Sequence, residues 1–281
     1  MAEVLVIGGA GGVGSAVVDK LLERGREVAV TVLNRAEADA VAVRHGGRVP
    51  AEIVDLSDAE ATCTKVAALI EANPGIAAVI VCAAIAPCGP AELVPFSAYL
   101  KAYQVNCIGA VAIYRAAMPA LRRNAGRMIF LGSMAGRVSL PFLSAYVATK
   151  FALEGLCDAF RRESAHQGVK ISLVQPGGIK TDLVQQQLQD VERDYRTLND
   201  AERERYGYLY TGFTEVANDS LASTASTAAQ VASVVMEAFE ADQPASRYVA
   251  GEDARELLDS AAHMSDGDLD TLLAGMFARA S

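Results

Sequence analysis

Histidine is scarce in this 281-residue chain, and His45, His166 and His263 stand far apart, with none at the His-x-x-x-His spacing that serves metal ligation. No metal centre is expected. Cysteine is sparse and odd in number: the five, Cys63, Cys82, Cys88, Cys107 and Cys157, include no Cys-x-x-Cys pair, which points to reduced thiols in a cytoplasmic setting. No basic cluster interrupts a formal charge of −9, which repels phosphate backbones and anionic lipid. An extended nucleic-acid or membrane surface is therefore disfavoured. No apolar run is long enough to span a bilayer. The longest, Ile76 to Ala86, is about half the roughly 20 residues a spanning helix needs and is stopped by Pro87, so it reads as a buried strand. The strand-like run Val4 to Ile7 comes almost at once, with no basic segment and cleavage site before it, and no export signal is expected. No Gly/Ser- or Pro-rich linker divides the chain, so residues 1–281 are read as one domain.

Apolar material is abundant: 52% of residues are hydrophobic and 21% charged, enough for a substantial core. Short β-branched runs near 3–8, 27–33, 48–54, 77–83, 126–132 and 169–175 alternate with segments long enough for crossover helices. That alternation predicts an α/β fold of Rossmann type, a doubly wound parallel sheet with helices on both faces. Strands such as Val79-Ile80-Val81 are apolar on consecutive residues, as cover on both faces requires. Right-handed crossovers gather the loops at the strand C-terminal ends on one edge, where ligands of open α/β sheets bind. Beyond Thr181 the pattern changes. Asp182 to Arg205 is polar and helical in pattern, followed by Tyr206, Tyr208, Tyr210 and Phe213, and 182–226 is read as an insertion over the site. A helix near 227–240, a short strand at Arg247 to Ala250 and a helical tail over 252–281 complete the chain.

The first strand runs into Gly8-Gly9-Ala10-Gly11-Gly12-Val13-Gly14, and a helix is expected from Ser15 to Arg24. Glycine lets the backbone turn tightly and approach a pyrophosphate, while the helix N-terminus offers free N–H groups and a positive dipole end. Gly8, Gly11, Gly12, Val13 and Gly14 are therefore candidate dinucleotide contacts; a flexible turn is the plainer alternative. Asp55, with Leu56, follows the third strand where a carboxylate can accept from an adenine amino group, or it can cap the helix starting near Ser57. The second strand ends in Asn34-Arg35 with no acid to chelate ribose hydroxyls. That charge pattern favours NADP(H) over NAD(H), with Arg35 available to the 2′-phosphate.

Tyr146 and Lys150 are four residues apart, one turn on the same helix face. A phenol is a poor base at neutral pH, and a neighbouring ammonium favours its ionised form. Ser133 ends a strand thirteen residues before Tyr146, and Asn106 lies twenty-seven before Ser133. With the Gly loop, Asp55 and Pro176-Gly177 in the same order, the stretch from Val4 to Thr181 resembles the short-chain dehydrogenase/reductase family. The resemblance implies that Tyr146 exchanges a proton with the substrate oxygen, Ser133 polarises that oxygen, Lys150 binds the nicotinamide ribose and Asn106 holds a water in a proton relay. It also implies cofactor contacts at Cys82, Ala83 and Ala84, at Tyr146 and Lys150, and at Pro176, Gly177, Ile179 and Thr181, the last two near the nicotinamide carboxamide. Read without the family, Pro176 to Thr181 is a turn leading to a helix cap. Cys82-Ala83-Ala84-Ile85 stands where most relatives have Asn-Asn-Ala-Gly, and Ile7 where a Thr usually precedes the first loop glycine. Weaker cofactor binding is expected, because Ile85 adds bulk where a glycine would let the ribose approach.

Tyr146 to Cys157 and Ser246-Arg247-Tyr248 look most like the hydroxysteroid and retinol dehydrogenase branch. A bulky apolar carbonyl or secondary alcohol, steroid-, retinoid- or polyketide-like, is the expected substrate, walled by Leu140, Phe142, Gly178, Tyr206 and Tyr210. Two other functions remain open: a nucleotide-binding lyase, isomerase or cyclase using Tyr146 without net redox change, and an NADP-sensing binding protein. Relatives of this type usually form dimers or tetramers through helices corresponding to 96–123 and 144–167, so a homo-oligomer is implied.

Overall fold

The computed structural model describes residues 1–278, and the last three positions of the expected 252–281 tail lie outside it. The first strand, β1 (Val4–Ile7), is buried along its whole length, with neighbouring side chains on opposite faces of the sheet. Leu5 and Ile7 join a core cluster with Val79, Ile113, Leu121 and Phe130, while Val4 and Val6 join a second with Val17, Leu21, Ile80, Ile129 and Met236. A strand that must bury both faces therefore carries apolar residues without alternation, and each side chain removed from water contributes about 2 kcal/mol.

Six further strands complete the main sheet: β2 (Val28–Val32), β3 (Ala51–Ile53), β4 (Ala78–Val81), β5 (Arg127–Leu131), β6 (Lys170–Pro176) and, after a small β7–β8 pair, β9 (Arg247–Ala250). Their order, β3-β2-β1-β4-β5-β6-β9, is parallel throughout. The order in which strands are added reverses between β1 and β4, and the crevice at that switch, beyond the strand C-termini, is where such sheets hold ligands. The expected six strands and the short one at Arg247–Ala250 are all present, several trimmed by a residue or two at their ends.

The helices α1 (Gly12–Glu23), α2 (Arg35–His45), α3 (Ala59–Glu71), α4 (Phe96–Tyr103), α5 (Gly109–Arg123) and α6 (Ser144–Ser164) supply the cover. A π-helical turn, Gln104–Ile108, joins α4 to α5, a rare geometry that recurs at functional sites. The segment expected to be helical over 182–205 is two helices, α7 (Asp182–Thr197) and α8 (Asp200–Ala222). The break comes where Asn199 accepts from the Glu202 N–H while the Glu202 carboxylate accepts from the Asn199 N–H, a reciprocal cap that starts a new helix. The two helices are bracketed by β7 (Ile179–Lys180) and β8 (Ser226–Thr227), which pair with each other. The chain then runs through α9 (Ala228–Glu240), α10 (Glu252–His263) and α11 (Asp266–Ala278), and α11 returns to pack Phe277 against Gly212 of α8. Among the described residues, no helix is long and apolar enough to cross a membrane.

Candidate active site

The Gly loop turns at Gly8, whose φ of +80 is open to glycine, and a Cβ there would sit 2.8 Å from the Ala83 side chain. A Cβ on Gly14 would strike the Gly8 carbonyl oxygen at 2.0 Å, so α1 begins hard against the loop. The helix starts at Gly12, earlier than expected, and its Gly11 cap position offers no side-chain acceptor. With no acid in the first turn either, the leading N–H groups face the loop mouth as an anion cradle. Gly11 is exposed at that mouth, while Val13 is buried beneath it. Across the cleft, a Cβ on Gly12 would meet the Thr181 methyl at 2.8 Å, so the loop and the Pro176–Thr181 segment close on one crevice. A cradle that glycine alone leaves open, beside an uncapped helix N-terminus, fits a dinucleotide pyrophosphate.

At the rim, the second strand stops at Val32, short of the expected end. Asn34 caps α2 by accepting from the Glu37 N–H, and the Glu37 carboxylate accepts from Leu33 N. Arg35 is the first residue of α2, 83% exposed, with Nε donating to Asp39 at 3.0 Å. Such an exposed pair contributes little and exchanges readily for another anion. Asp55 does not cap the next helix. Asp58 does, accepting from Ala61 N, while Asp55 accepts from the backbone and hydroxyl of Ser57, which hold its carboxyl below the usual carboxylate range. Leu56 is buried beside it.

After β4, Cys82 packs toward one core cluster and Ala83 toward the other. Burial pushes the Cys82 thiol up to about 12, with the Lys150 charge opposing, so it stays protonated. Ala84 and Ala83 line a cavity of about 10 Å³, together with Asn106, Leu131 and Lys150, room for a single water. The expected intrusion of Ile85 toward a ribose is corrected: its side chain packs against the core. Its peptide groups are both held by Asn106, which accepts from Ile85 N at 2.9 Å and donates to Ile85 O at 2.8 Å. The Asn106 amide also donates to Thr149 Oγ1 at 2.9 Å, so both of its amide protons are committed.

On α6, Thr149 Oγ1 donates to the Tyr146 carbonyl at 2.7 Å, linking the Asn106 turn to the Tyr146–Lys150 stretch. Lys150 is 3% exposed, and its Nζ donates to Leu131 O at 2.9 Å and lies 5.5 Å from the centre of the Tyr146 ring. Ser133 lies two residues beyond β5 and not at the strand end the sequence suggested, and its Oγ accepts from Ala135 N at 3.1 Å, which leaves the hydroxyl proton to donate elsewhere. The short turn after it rests directly on α6, since a Cβ on Gly136 would meet the Lys150 carbonyl at 2.9 Å. Asn106 is thus tied through Thr149 to α6, where Lys150 lies beside the Tyr146 ring and reaches Leu131 at the end of β5, two residues before Ser133.

The residue profile of the short chain dehydrogenases matches residues 2–192. The chain belongs to that family. Among curated relatives, it is 30% identical over 166 residues to a 3-amino-tetrahydro-pyrrolizinone reductase of Xenorhabdus hominickii, covering 59% of this chain and 58% of the relative. It is also 27% identical over 258 residues to retinol dehydrogenase 7 of Rattus norvegicus, covering 90% of this chain and 81% of the relative. The match therefore spans little more than half of the reductase's length. Among solved structures, a short chain dehydrogenase from Burkholderia cenocepacia in complex with NADP aligns with a TM-score of 0.73 at 23% identity, covering 98% of this chain and 97% of that one, a likeness of fold.

Of the expected substrate wall, Phe142 and Tyr210 meet, with ring centres 4.9 Å apart, and Phe213 joins them at 4.9 Å from Phe142. Phe142 holds a φ of 70, an unfavourable backbone for a bulky residue. Its carbonyl accepts from Gly89 N, and its ring completes the apolar cluster with Val191 and Phe277. Leu140 is half-buried in the preceding loop. Tyr206 departs from the expected wall: its hydroxyl donates to the Glu92 carboxylate at the surface, at the rim of the cluster. Beyond the cluster, a cleft of about 470 Å³ opens between α7 and α8, where Leu188, Val191, Tyr195 and Tyr210 share the wall with polar residues that include Gln185, Glu192 and Glu215.

Sequence reading missed a buried ionic group on the same helix. Glu154, one turn beyond Lys150 and 5% exposed, accepts from Arg247 Nε at 2.8 Å and from Gln175 Nε2 at 2.5 Å. Arg247 also donates to Asp158 at 3.0 Å. Burial works against the guanidinium charge, yet the bonds and charges of Glu154 and Asp158 outweigh it and hold Arg247 above its ordinary pKa. Tyr146, Lys150, Glu154 and Asp158 recur every fourth residue, a helical face that the spacing alone reveals.

Proposed function

We propose that this chain is an NADP(H)-dependent oxidoreductase that interconverts a carbonyl and a secondary alcohol on a bulky apolar substrate. The observation that carries the reading is the Lys150 ammonium, buried, anchored on the Leu131 carbonyl and set 5.5 Å from the Tyr146 ring. A cation fixed at that place can stabilise negative charge that develops on the reacting oxygens, and a hydroxyl positioned beside it can exchange a proton with a substrate. In this reading, the Tyr146 hydroxyl gives its proton to the substrate oxygen in reduction and takes it back in oxidation. Ser133 donates its free hydroxyl proton to the same oxygen, stabilising the charge that develops there. Lys150 holds the nicotinamide ribose with N–H groups not engaged by Leu131. The one-water cavity beside Lys150 and Asn106 supports a proton path inward from the phenol. The Asn106 side chain would hold the π-helical turn in place, with one acceptor site on Oδ1 left for the water.

Gly8, Gly11, Gly12, Val13 and Gly14 would hold the pyrophosphate, Asp55 and Leu56 the adenine, and Cys82, Ala83 and Ala84 the nicotinamide-side ribose. Pro176, Gly177, Ile179 and Thr181 would meet the carboxamide; the Thr181 hydroxyl, which caps nothing although it begins α7, is left for it. When bound, the dinucleotide supplies or accepts the hydride. Arg35, with no acid at 33–35, supports NADP over NAD, and the solved NADP complex of a structural neighbour accords with that. The aromatic cluster under α7 and α8 supports a large, mainly apolar substrate. A second copy of the chain is inferred to cover Phe96, Leu100, Ile108 and Phe151, exposed apolar residues on α4, the π-helical turn and α6. Light scattering is expected to give a mass of at least two chains, and a monomer at working concentrations would reject that inference.

Titration with both dinucleotides, followed by a turnover screen over hydrophobic ketones and alcohols, tests the main reading. NADPH is expected to bind about tenfold more tightly than NADH, with Arg35→Ala erasing the difference. Tighter NADH binding would reject the cofactor assignment, and turnover of none of the bulky carbonyls would reject the substrate class.

A further inference from the structure

The Pro176–Thr181 segment is fixed at nearly every peptide group. Gly177 N donates to Ala250 O at 3.1 Å, Ser226 N donates to Gly178 O at 2.9 Å, and Ile179 and Lys180 pair with Ser226 and Thr227. One of these ties is a side chain from far along the chain. Asp253, in the first turn of α10, accepts from Gly178 N through Oδ2 at 2.7 Å. Its other oxygen, Oδ1, is buried with no protein partner. The carboxylate fits only because its neighbours are glycines: a Cβ on Gly177 would lie 2.3 Å from both oxygens, and one on Gly251 would lie 2.5 Å from Oδ1. A half-buried carboxylate whose inward oxygen has no donor is costly to keep. The positive end of α10 offsets part of that cost, and what the carboxylate gains is the direction of the Gly178 peptide.

We infer that Asp253 is a positioning residue for the nicotinamide half of the dinucleotide site, acting through the Gly178 peptide to aim Ile179 and Thr181 into the cleft. The inference rests on the proposed role of residues 176–181 at the carboxamide. It assigns Asp253 no contact with the substrate or with the adenine half. Without the carboxylate, the Gly178 N–H loses its acceptor, and of the ties from the β9 end of the sheet the segment keeps the one from Gly177 N to Ala250 O.

Calorimetric binding separates the two halves of the ligand. The probes are the preferred dinucleotide and its matching fragment without nicotinamide, 2′-phospho-ADP-ribose for NADPH or ADP-ribose for NADH. Asp253→Ala is expected to weaken the dinucleotide about tenfold or more, the worth of a charge-assisted hydrogen bond. The fragment should change less than about twofold, because it carries no carboxamide for the 176–181 segment to hold. Asp253→Asn, which keeps an acceptor for Gly178 N, is expected to restore binding to within about threefold of the parent. Should Asp253→Ala fail to fold, Asp253→Ser takes its place, with a hydroxyl too short to reach Gly178 and the same outcomes expected. Equal weakening of dinucleotide and fragment, no weakening of either, or an Asn variant as impaired as Ala would overturn the inference while leaving the cofactor reading standing. A parent protein that binds neither dinucleotide would overturn both.

Discussion

Replacing Tyr146 with phenylalanine is expected to lower kcat by about 10³-fold, within the range that positioned acid–base groups contribute, while dinucleotide affinity stays within about twofold because the ring, its packing and its approach to Lys150 all remain. The substitution removes one hydroxyl and leaves the helix face intact, so protein stability should hardly move. Ser133 and the Lys150 charge would still polarise the substrate oxygen, which accounts for a residual rate above zero. Single-turnover kinetics with a substrate found by the ketone and alcohol screen would read this directly. A Phe variant that keeps more than about a tenth of the parental rate would remove the phenol from the chemistry.

Glu154→Ala is the second large effect, on stability. The carboxylate is nearly inaccessible, and its removal leaves Arg247 and Gln175 without the acceptor that both now share. Breaking a buried pair from one side costs about 3–5 kcal/mol. Arg247 keeps Asp158 and retains 26% of its side-chain surface in water, which favours the lower end. The melting temperature should fall by about 6 °C or more. Glu154→Gln, which preserves the shape and an acceptor but not the charge, should lose about half as much. Scanning calorimetry on the two variants decides it, and a loss below about 1 kcal/mol for Glu154→Ala would mean that water replaces the carboxylate freely. The consequence reaches the chemistry, since Glu154 sits one turn from Lys150 and fastens that helix to the edge strand β9.

The parts of this site that were legible in the sequence are those whose partners lie nearby along the chain. The Gly loop announces itself because glycine, a preceding strand and a following helix must be consecutive, and Tyr146 and Lys150 because one helical turn brings them together. The strand alternation likewise led to the parallel sheet. Local capping was misread at two places, although its signal was present: Asp58, and not Asp55, stands three residues before the N–H it caps, and Asn199-x-x-Glu202 marks the break between α7 and α8. Long-range pairs left no such trace. Asp253 meets Gly178 across 75 residues and Arg247 meets Glu154 across 93, and no periodicity connects them. Ile85 was misjudged for a related reason: the direction of a loop side chain depends on which residue holds its peptide, and here that residue is Asn106, 21 positions away.

Transfer of deuterium from NADPH carrying deuterium at both nicotinamide C4 positions to a bulky ketone, followed by mass spectrometry of the product, tests the central claim most directly. The account requires one deuterium on the new carbinol carbon, lost from the parent reaction in step with turnover when Tyr146 is replaced by phenylalanine. Product that forms without the label would contradict it, since the phenol and ammonium would then be serving a reaction that moves no hydride.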